Sequence, residues 1–214
     1  VWAGRVLVGV YCKKRWMGIA DGLLWGAVGV LLLASVFNRV NIGVRHILPV
    51  YPLLHLYLGR VVLLEARWVK GLVGVLGVWY LAASLQIYPH CLSYFNELAG
   101  GPERGHLWLD DSNLDWGQDL NLLRDLQGRY PGEPLFVATS WMFVPEAFGV
   151  QAERLGPDQI ANPPQGLVAV SKHWAIRSRV NRHSPAYFDW IETRTPLETL
   201  GHSIWIYRFP RDEE

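Results

Sequence analysis

Residues Asn38–Pro52, with the sequence NRVNIGVRHILPVYP, form a short polar link between two apolar runs. The link carries the basic residues Arg39, Arg45 and His46. If the flanking runs cross a bilayer, this link lies at a membrane surface, because lipid-exposed loops and charges are unfavourable in the hydrocarbon core. The stretch therefore raises two questions: which surface it occupies, and what its cations bind there.

The two halves of the chain differ in charge. Residues 1–88 contain nine Lys or Arg and two acidic residues, whereas residues 89–214 contain eleven Lys or Arg and seventeen acidic residues. The cations of the second half are not gathered with aromatic residues, which argues against nucleic-acid binding. The composition predicts a membrane region over residues 1–88 and a water-soluble domain over residues 89–214.

Two runs in the first half are free of charged residues. Residues 22–38 reach the lower limit of about 17 residues for a spanning helix, and residues 71–88 form a second uncharged run. A buried core helix of a soluble protein is the alternative for any single run. Several such runs in succession, joined by short links, favour transmembrane helices.

Two further runs are expected to be spans, although each is irregular. Residues 47–64 are interrupted by His55 and Arg60, but Arg60 lies near the end of the run and can extend to the interface. Residues 1–11 have the composition of the last turns of a span that begins before Val1. The chain is therefore interpreted as the C-terminal part of a longer protein.

The positive charges in the short links orient these spans. Clusters of Lys and Arg occur at residues 13–15, after the first run, and at residues 65–70, after the third run. Short loops rich in Lys and Arg remain in the cytoplasm. Residues 38–46 and the domain from residue 89 onward are then extracytoplasmic.

This topology places Arg39, Arg45 and His46 on the face where the charge rule disfavours cations in short links. Guanidinium groups donate paired hydrogen bonds to phosphate oxygens, so the three residues are a candidate site for the phosphate of a lipid head group. Contact with anionic lipid or with acidic residues of the second half stays open for both arginines. Capping or packing stays open for His46.

The second half alternates short apolar runs with amphipathic segments, which predicts a small α/β domain. The expected elements are helices at residues 90–98, 115–129 and 187–191, and strands at residues 106–109, 134–139, 166–171 and 203–209. Their alternation favours a partly parallel sheet of three or four strands. The predicted fold is thus a set of transmembrane helices followed by a small extracytoplasmic α/β domain.

The string DDSNLDWGQD at residues 110–119 is the most distinctive in the second half. Its candidate residues for a polar ligand or a divalent cation are Asp111, Asn113, Asp115 and Asp119. Three of them alternate as in a calcium loop, but Trp116 and Leu122 stand where such a loop has Gly and Glu. Two other interpretations stay open: a turn that satisfies local backbone donors, and a sugar site with Trp108 or Trp116 as its stacking face.

Two strings, NIGVRHILPVYPLL at residues 41–54 and YPHCLSYFNELAGGPERGHLWLDDSNLDWGQDL at residues 88–120, are familiar. They resemble the C-terminal part of bacterial membrane glycosyltransferases that use lipid-phosphate-linked sugars. This group is related to protein mannosyltransferases and to the aminoarabinose transferase that acts on lipid A. The resemblance covers residues 38–120 well and the remaining residues more loosely.

The resemblance implies an integral enzyme of the bacterial inner membrane with its active site at the outer surface. Its implied partners are the lipid bilayer, a polyprenyl-phosphate-linked sugar and the remaining transmembrane helices of a full-length chain. The family's catalytic base lies in an early outer loop that this sequence lacks, so no catalytic residue and no metal ligand are assigned here. Arg45 is the implied contact of the donor phosphate.

The implied reaction is inverting transfer, in which a base activates an acceptor hydroxyl and polyprenyl phosphate leaves with its charge stabilised by cations. A second hypothesis stays open. The chain is then a membrane-anchored extracytoplasmic module that binds or senses a ligand without catalysis.

Overall fold

The computed structural model describes residues 2–38, 43–60, 66–110, 113–139, 144–180 and 189–210. The chain divides into two compact units, Val1–Gly77 and Val78–Glu214. The helices are α1 (Trp2–Phe37), α2 (Val50–Leu58), α3 (Arg67–Ile87), α4 (Leu122–Arg129), α5 (Pro157–Ala161) and α6 (Lys172–Val180). The strands are β1 (Leu135–Ala138), β2 (Glu153–Arg154), β3 (Gly166–Ser171), β4 (Glu198–Leu200) and β5 (Ile204–Phe209).

Helix α1 is continuous through residues 13–15, where the sequence analysis places a link between two spans. Lys and Arg are good helix formers, and the first proline of the chain is Pro49, so no residue before the polar link obliges the helix to end. The cationic cluster at residues 13–15 is therefore part of a long helix.

Two helical segments are long and apolar enough to cross a membrane, judged by length and composition alone. They are Gly18–Phe37 within α1 and Arg67–Ile87, which is α3. Only 6% of the apolar window of each is buried, so neither packs as the core helix of a soluble protein. The third expected span, residues 47–64, contains only the nine-residue helix α2, about 14 Å long, and residues 61–65 lie outside the described ranges.

Helices α1 and α2 are joined by contacts between their side chains. Arg60, just after α2, forms an ion pair with Asp21 of α1. The guanidinium of Arg60 lies 5.4 Å from the ring centre of Tyr57, and the rings of Tyr57 and Trp25 are 5.2 Å apart and edge-on. Arg60, which we expected to extend to the interface, thus has an acidic partner. The pair also brings together the ends of the two segments that lie far from the polar link.

The second unit contains a mixed five-stranded sheet with the order β2-β1-β3-β5-β4. Strand β1 is parallel to β2 and β3, whereas β5 is antiparallel to β3 and β4. The strands predicted at residues 134–139, 166–171 and 203–209 are confirmed. The expected three or four strands become five, because β2 and β4 are short edge strands without an apolar run.

Both faces of this sheet are covered. One face packs against α4 through a core that includes Leu123, Leu126, Leu135, Val137, Leu167, Ile204 and Ile206. The other packs against α5, α6 and the turn Asp189–Glu192, through a core that includes Phe136, Val168, Val170, Ala175, Trp190 and Tyr207. Burial on two faces explains why β1 and β3 are continuous apolar runs rather than alternating ones.

Several predicted elements are wrong. The strand expected at residues 106–109 is a 3-10 turn, Gly105–Leu107. The helix expected at residues 90–98 is two 3-10 turns separated by extended backbone, because the Asn96 side chain accepts a hydrogen bond from the Ala99 N–H and starts the second turn. The helix expected at residues 115–129 begins only at Leu122, because Gly117 adopts a φ of 81°. The helix expected at residues 187–191 is the 3-10 turn Asp189–Glu192, and residues 187 and 188 lie outside the described ranges.

Candidate functional site

Six polar residues meet beside the C-terminal end of β3 in the second unit. We call this group the polar cluster: His90, Glu103, Asp119, Lys172, His202 and Ser203. Lys172 directly follows β3, and His202 and Ser203 form the turn between β4 and β5. The other members come from the turn-rich segment after α3. Ligand sites in α/β sheets occur beside the carboxyl ends of strands, so this edge is the natural place to look for function.

Asp119 lies at the centre of the polar cluster and is only 1% exposed. Its Oδ1 is 2.9 Å from His90 Nδ1, and its Oδ2 accepts a hydrogen bond of 2.6 Å from the Ser203 hydroxyl. Burial raises the pKa of Asp119 by more than these hydrogen bonds lower it. When ionised, Asp119 fixes the proton of neutral His90 on Nδ1 and leaves Nε2 as the basic nitrogen.

The turn between β4 and β5 approaches Asp119 closely. Gly201 has a φ of 53°, and a Cβ atom there would lie 2.1 Å from the Asp119 carboxyl carbon. The next residue, His202, has a φ of 76°, which is uncommon for a residue with a side chain. Glycine is therefore required at position 201, both for its conformation and for the space that the carboxylate occupies.

Glu103 joins the second histidine to the buried lysine. Its Oε1 is 2.6 Å from His202 Nδ1, and its Oε2 is 3.5 Å from Lys172 Nζ. Burial acts to raise the pKa of Glu103, but the hydrogen bond from His202 and the charge of Lys172 outweigh it, so the pKa is lowered. The rings of His90 and His202 are 5.6 Å apart and edge-on. The polar cluster thus contains two imidazoles, each held at Nδ1 by a carboxylate.

Lys172 is 1% exposed, and its ammonium lies 5.5 Å from the ring centre of Trp205. Burial lowers the pKa of Lys172 by more than Glu103 raises it. The charged form is therefore less favourable in the folded protein than in the unfolded chain. In an ion pair that serves only to stabilise the fold, the pKa of the lysine would be raised. Buried ionisable groups with shifted pKa values concentrate at functional sites.

We expect Lys172→Met to stabilise the protein at pH 7 by about 1 kcal/mol or more, because it removes a buried charge and retains the volume. A lowered pKa means that the unfolded chain binds more protons than the folded one between the folded pKa and 10.5, so the parent gains stability as pH rises through that interval. The advantage of the variant should therefore be smaller at pH 10 than at pH 7, as measured by thermal unfolding.

Arg124→Met provides the control for this measurement, because Arg124 is an exposed cation on α4. It should change the free energy of unfolding by less than about 0.5 kcal/mol at either pH. A parent protein more stable than Lys172→Met at both pH values would contradict the expectation and show that the Lys172 pair stabilises the fold.

The acidic string that the sequence analysis singled out is divided between two roles. Asp115 accepts a hydrogen bond of 2.7 Å from the Gly117 N–H and another from the Ser171 hydroxyl at the end of β3. The Asn113 amide donates to the Asp110 carbonyl over 3.0 Å. Asp119 belongs to the polar cluster, and Asp111 lies outside the described residues.

The structure thus brings Asp115 and Asp119 to the sheet edge. Among the described candidates, Asp115 satisfies a local backbone donor, and the Asn113 amide bonds to a local carbonyl. Among the residues that the structure describes, no group of three or more His, Cys, Asp or Glu side chains is arranged to hold a metal ion. Trp108 and Trp116, the expected stacking faces, are both exposed, and the Trp108 indole donates to the Ala99 carbonyl over 2.8 Å.

The candidate phosphate site lies in the first unit. Arg45 and His46 are in the 3-10 turn Gly43–Ile47, and Arg45 is exposed. The His46 carbonyl accepts a hydrogen bond of 3.2 Å from the hydroxyl of Ser35 on α1, and its Nδ1 is 3.4 Å from the Asn38 amide. Arg39 lies outside the described residues.

A cleft of about 290 Å³ adjoins the polar cluster in the second unit. Its walls include Gln86, Ile87, Tyr94, Phe95, Glu97 and His202. The last turns of α3 form one wall and the turn-rich segment at residues 94–102 forms another. The cleft therefore has an apolar and aromatic surface with a few hydrogen-bonding groups, which is the usual composition of a small-molecule site.

Sequence reasoning missed most of the polar cluster. His90 and Glu103 lie within the second familiar string but had no apparent partner there. Lys172 was detectable in principle, because a lysine that directly follows the buried run GLVAVS is placed at a strand end. His202 follows a glycine in a turn, which gives no chemical indication.

Comparison with known proteins adds no relative. No protein family, curated protein or solved structure matches the chain.

Proposed function

We propose that this chain forms the C-terminal part of a bacterial inner-membrane glycosyltransferase that transfers a sugar from polyprenyl phosphate to an acceptor at the outer face. One observation carries the proposal. Two parts of the second familiar string, YPHCLS at residues 88–93 and DWGQD at residues 115–119, meet in the second unit. His90 bonds to Asp119, and the Gln118 amide donates to the Ser93 hydroxyl over 3.2 Å. These two parts of the second string thus form one interacting group.

The two long apolar helices support a location in the membrane. Their side chains are left exposed to the surroundings, which is unfavourable in water and favourable in lipid. The ion pair between Asp21 and Arg60 is also consistent with two antiparallel segments whose connection, at residues 38–46, lies on the other side.

The uneven distribution of exposed apolar side chains over the second unit also supports a location at the membrane. Large exposed apolar side chains after α3 are concentrated between residues 88 and 116: Tyr88, Leu92, Tyr94, Leu98, Leu107, Trp108 and Trp116. Among the described residues from 117 to 210 there are only three, Val144, Phe148 and Leu197. Trp and Tyr are the residues enriched at membrane interfaces, so residues 88–116 suit contact with the lipid head groups.

In this proposal the chain positions the donor rather than activating the acceptor. Arg45, exposed on the 3-10 turn after α1, donates paired hydrogen bonds to the donor phosphate and stabilises its charge as polyprenyl phosphate leaves. His46 and Arg39 lie on the same link and assist. The base that deprotonates the acceptor hydroxyl comes from another part of the full-length protein.

The test is binding of a polyprenyl-phosphate analogue to the full-length membrane protein. We expect Arg45→Ala to weaken binding by about 1–3 kcal/mol, the value of a charge-assisted hydrogen bond. Arg39→Ala, on the same link, is the control and should have a smaller effect. Unchanged binding in a folded Arg45→Ala protein would remove the donor-phosphate role.

A second candidate is a membrane-anchored module that binds an extracytoplasmic ligand without catalysis. The cleft beside His202 favours it, because a binding site of this kind needs no catalytic base. Transfer of a labelled sugar to an acceptor by the full-length protein separates the two candidates. Ligand binding without any transfer would favour the binding module.

A further inference from the structure

We propose that the cleft beside His202 binds a single neutral sugar ring. The inference rests on the proposed function in one respect, since that function supplies the source of the sugar as either the donor or the acceptor. The volume of about 290 Å³ lies just below the range of about 300–1,000 Å³ for small-molecule pockets, so one ring rather than an oligosaccharide matches the space.

His202 lines the cleft and provides a hydrogen-bond acceptor there. Glu103 accepts the Nδ1 proton over 2.6 Å, so Nε2 of the neutral ring carries the lone pair. Among the described residues, Nε2 of His202 has no hydrogen-bond partner. A sugar hydroxyl that donates to this nitrogen would complete its hydrogen bonding.

The cleft is also lined by the polar side chains of Gln86 and Glu97. Neither Gln86 nor Glu97 forms a hydrogen bond or an ion pair from its side chain to another described residue. A carboxylate accepts from two neighbouring hydroxyls, and an amide both donates and accepts. Together with His202 they offer the hydroxyls of a sugar ring several acceptors and one amide donor.

The aromatic wall is held in place by the backbone. A Cβ atom at Gly105 would lie 2.1 Å from the ring of Phe95, so the Phe95 ring packs directly on this glycine. The next wall segment is fixed by the Asn96 cap and by the hydrogen bond of 3.0 Å from the Gly101 N–H to the Asn96 carbonyl. Tyr94 is partly exposed on this fixed segment, where its ring can stack on the apolar face of a sugar.

The charges of the cleft select a neutral ligand over a phosphate. Glu97 lines the cleft, and Glu103 lies behind it on His202, so a phosphate there would be repelled by a carboxylate in the lining and by a second one next to it. Lys172, the lysine of the polar cluster, is 1% exposed and cannot extend into the cleft to offset this repulsion. The phosphate of the proposed donor is assigned to Arg45, and the cleft is left for hydroxyl groups.

The test uses the full-length protein in lipid nanodiscs. The probes are the methyl glycosides of glucose, mannose, galactose and N-acetylglucosamine, with binding detected by saturation-transfer NMR and titrated for affinity. We expect at least one glycoside to bind, and Tyr94→Ala and Glu97→Gln each to weaken it by about tenfold or more. Both positions are exposed, so neither substitution should prevent folding.

Two matched substitutions control for general effects. Phe148→Ala removes an exposed aromatic residue outside the cleft, and Glu153→Gln removes an exposed carboxylate on β2. Both should bind the glycoside as the parent does. The inference is overturned if no glycoside binds, or if the Tyr94 and Glu97 variants bind as tightly as the controls.

A second arm identifies the source of the sugar. Displacement of the glycoside by polyprenyl-phosphate-linked hexose, but not by polyprenyl phosphate alone, assigns the cleft to the donor sugar. Donor binding without displacement assigns it to the acceptor. Glycoside binding in a protein that binds no polyprenyl donor would sustain the sugar site and refute the proposed transferase, whereas donor binding without any glycoside binding would do the reverse.

Discussion

Gly201→Ala is expected to lower the free energy of unfolding of the second unit by about 3–5 kcal/mol. The backbone at this position has a φ of 53°, and the added methyl group would occupy the space of the Asp119 carboxylate. Strain in the left-handed region costs about 1–3 kcal/mol, and displacement of a packed side chain costs a similar amount. Thermal unfolding of the full-length protein in detergent measures the change.

Gly132→Ala separates these two causes. Gly132 also has a positive φ, 84°, but a Cβ atom there meets nothing within 4 Å. Its substitution should therefore cost about 1 kcal/mol, the strain alone. Equal losses at the two positions would show that the contact with Asp119 has no part in the effect.

Asp119→Ala is expected to cost about 2–4 kcal/mol. It would leave the buried Ser203 hydroxyl and the Nδ1 proton of His90 without an acceptor, and each unsatisfied group costs about 1–3 kcal/mol. Asp119→Asn keeps the shape and one acceptor oxygen, so its cost should be smaller. An alanine variant as stable as the parent would mean that the polar cluster contributes nothing to the fold.

Asp119 also makes the stability of the folded protein depend on pH in a definite direction. Burial raises the pKa of Asp119 above 3.8, so the folded protein binds more protons than the unfolded chain between that value and the folded pKa. The stabilising contribution of Asp119 is complete below pH 3.8 and is lost as pH rises through the folded pKa. The parent should lose stability relative to Asp119→Asn across this interval, and the opposite slope would contradict the assignment.

The effects of Gly201→Ala and Asp119→Ala on the free energy of unfolding should not be additive, because the added methyl group and the Asp119 carboxylate compete for the same space. Once Asp119 is alanine, the methyl group of Gly201→Ala meets no carboxylate, and only its backbone strain remains. We expect the double variant to be more stable than the sum of the single changes by about 1–3 kcal/mol. Additive losses would place the cause of the Gly201 effect elsewhere.

Much of the sheet was predictable, for a simple physical reason. Strands β1 and β3 are buried on both faces, so they appear in the sequence as apolar runs such as GLVAVS, which few other structures require. Strand β5 retains the same character in SIWIYRF. The edge strands β2 and β4, with two and three residues, contain too few positions for a recognisable pattern.

The polar cluster was not predictable, because its contacts are distant in sequence. Glu103 and His202 are separated by 99 residues, and Asp119 and Ser203 by 84. Local patterns carry no information about such pairs. The segment at residues 90–121 misled the helix prediction for a related reason: its side chains are directed to tertiary partners and caps rather than to one helical face.

The order of the sheet has a consequence for biosynthesis. Strand β5, residues 204–209, is the last strand in sequence, yet it lies between β3 and β4 in the interior of the sheet. A nascent chain emerges from its N-terminal side, so β1 and β3 are made while the neighbour that covers one edge of β3 is still absent. Until residues 202 and 203 emerge, Asp119 lacks the hydrogen bond from Ser203 and Glu103 lacks the hydrogen bond from His202. The sheet therefore remains incomplete until its last strand in sequence, which fills an interior position, has been made.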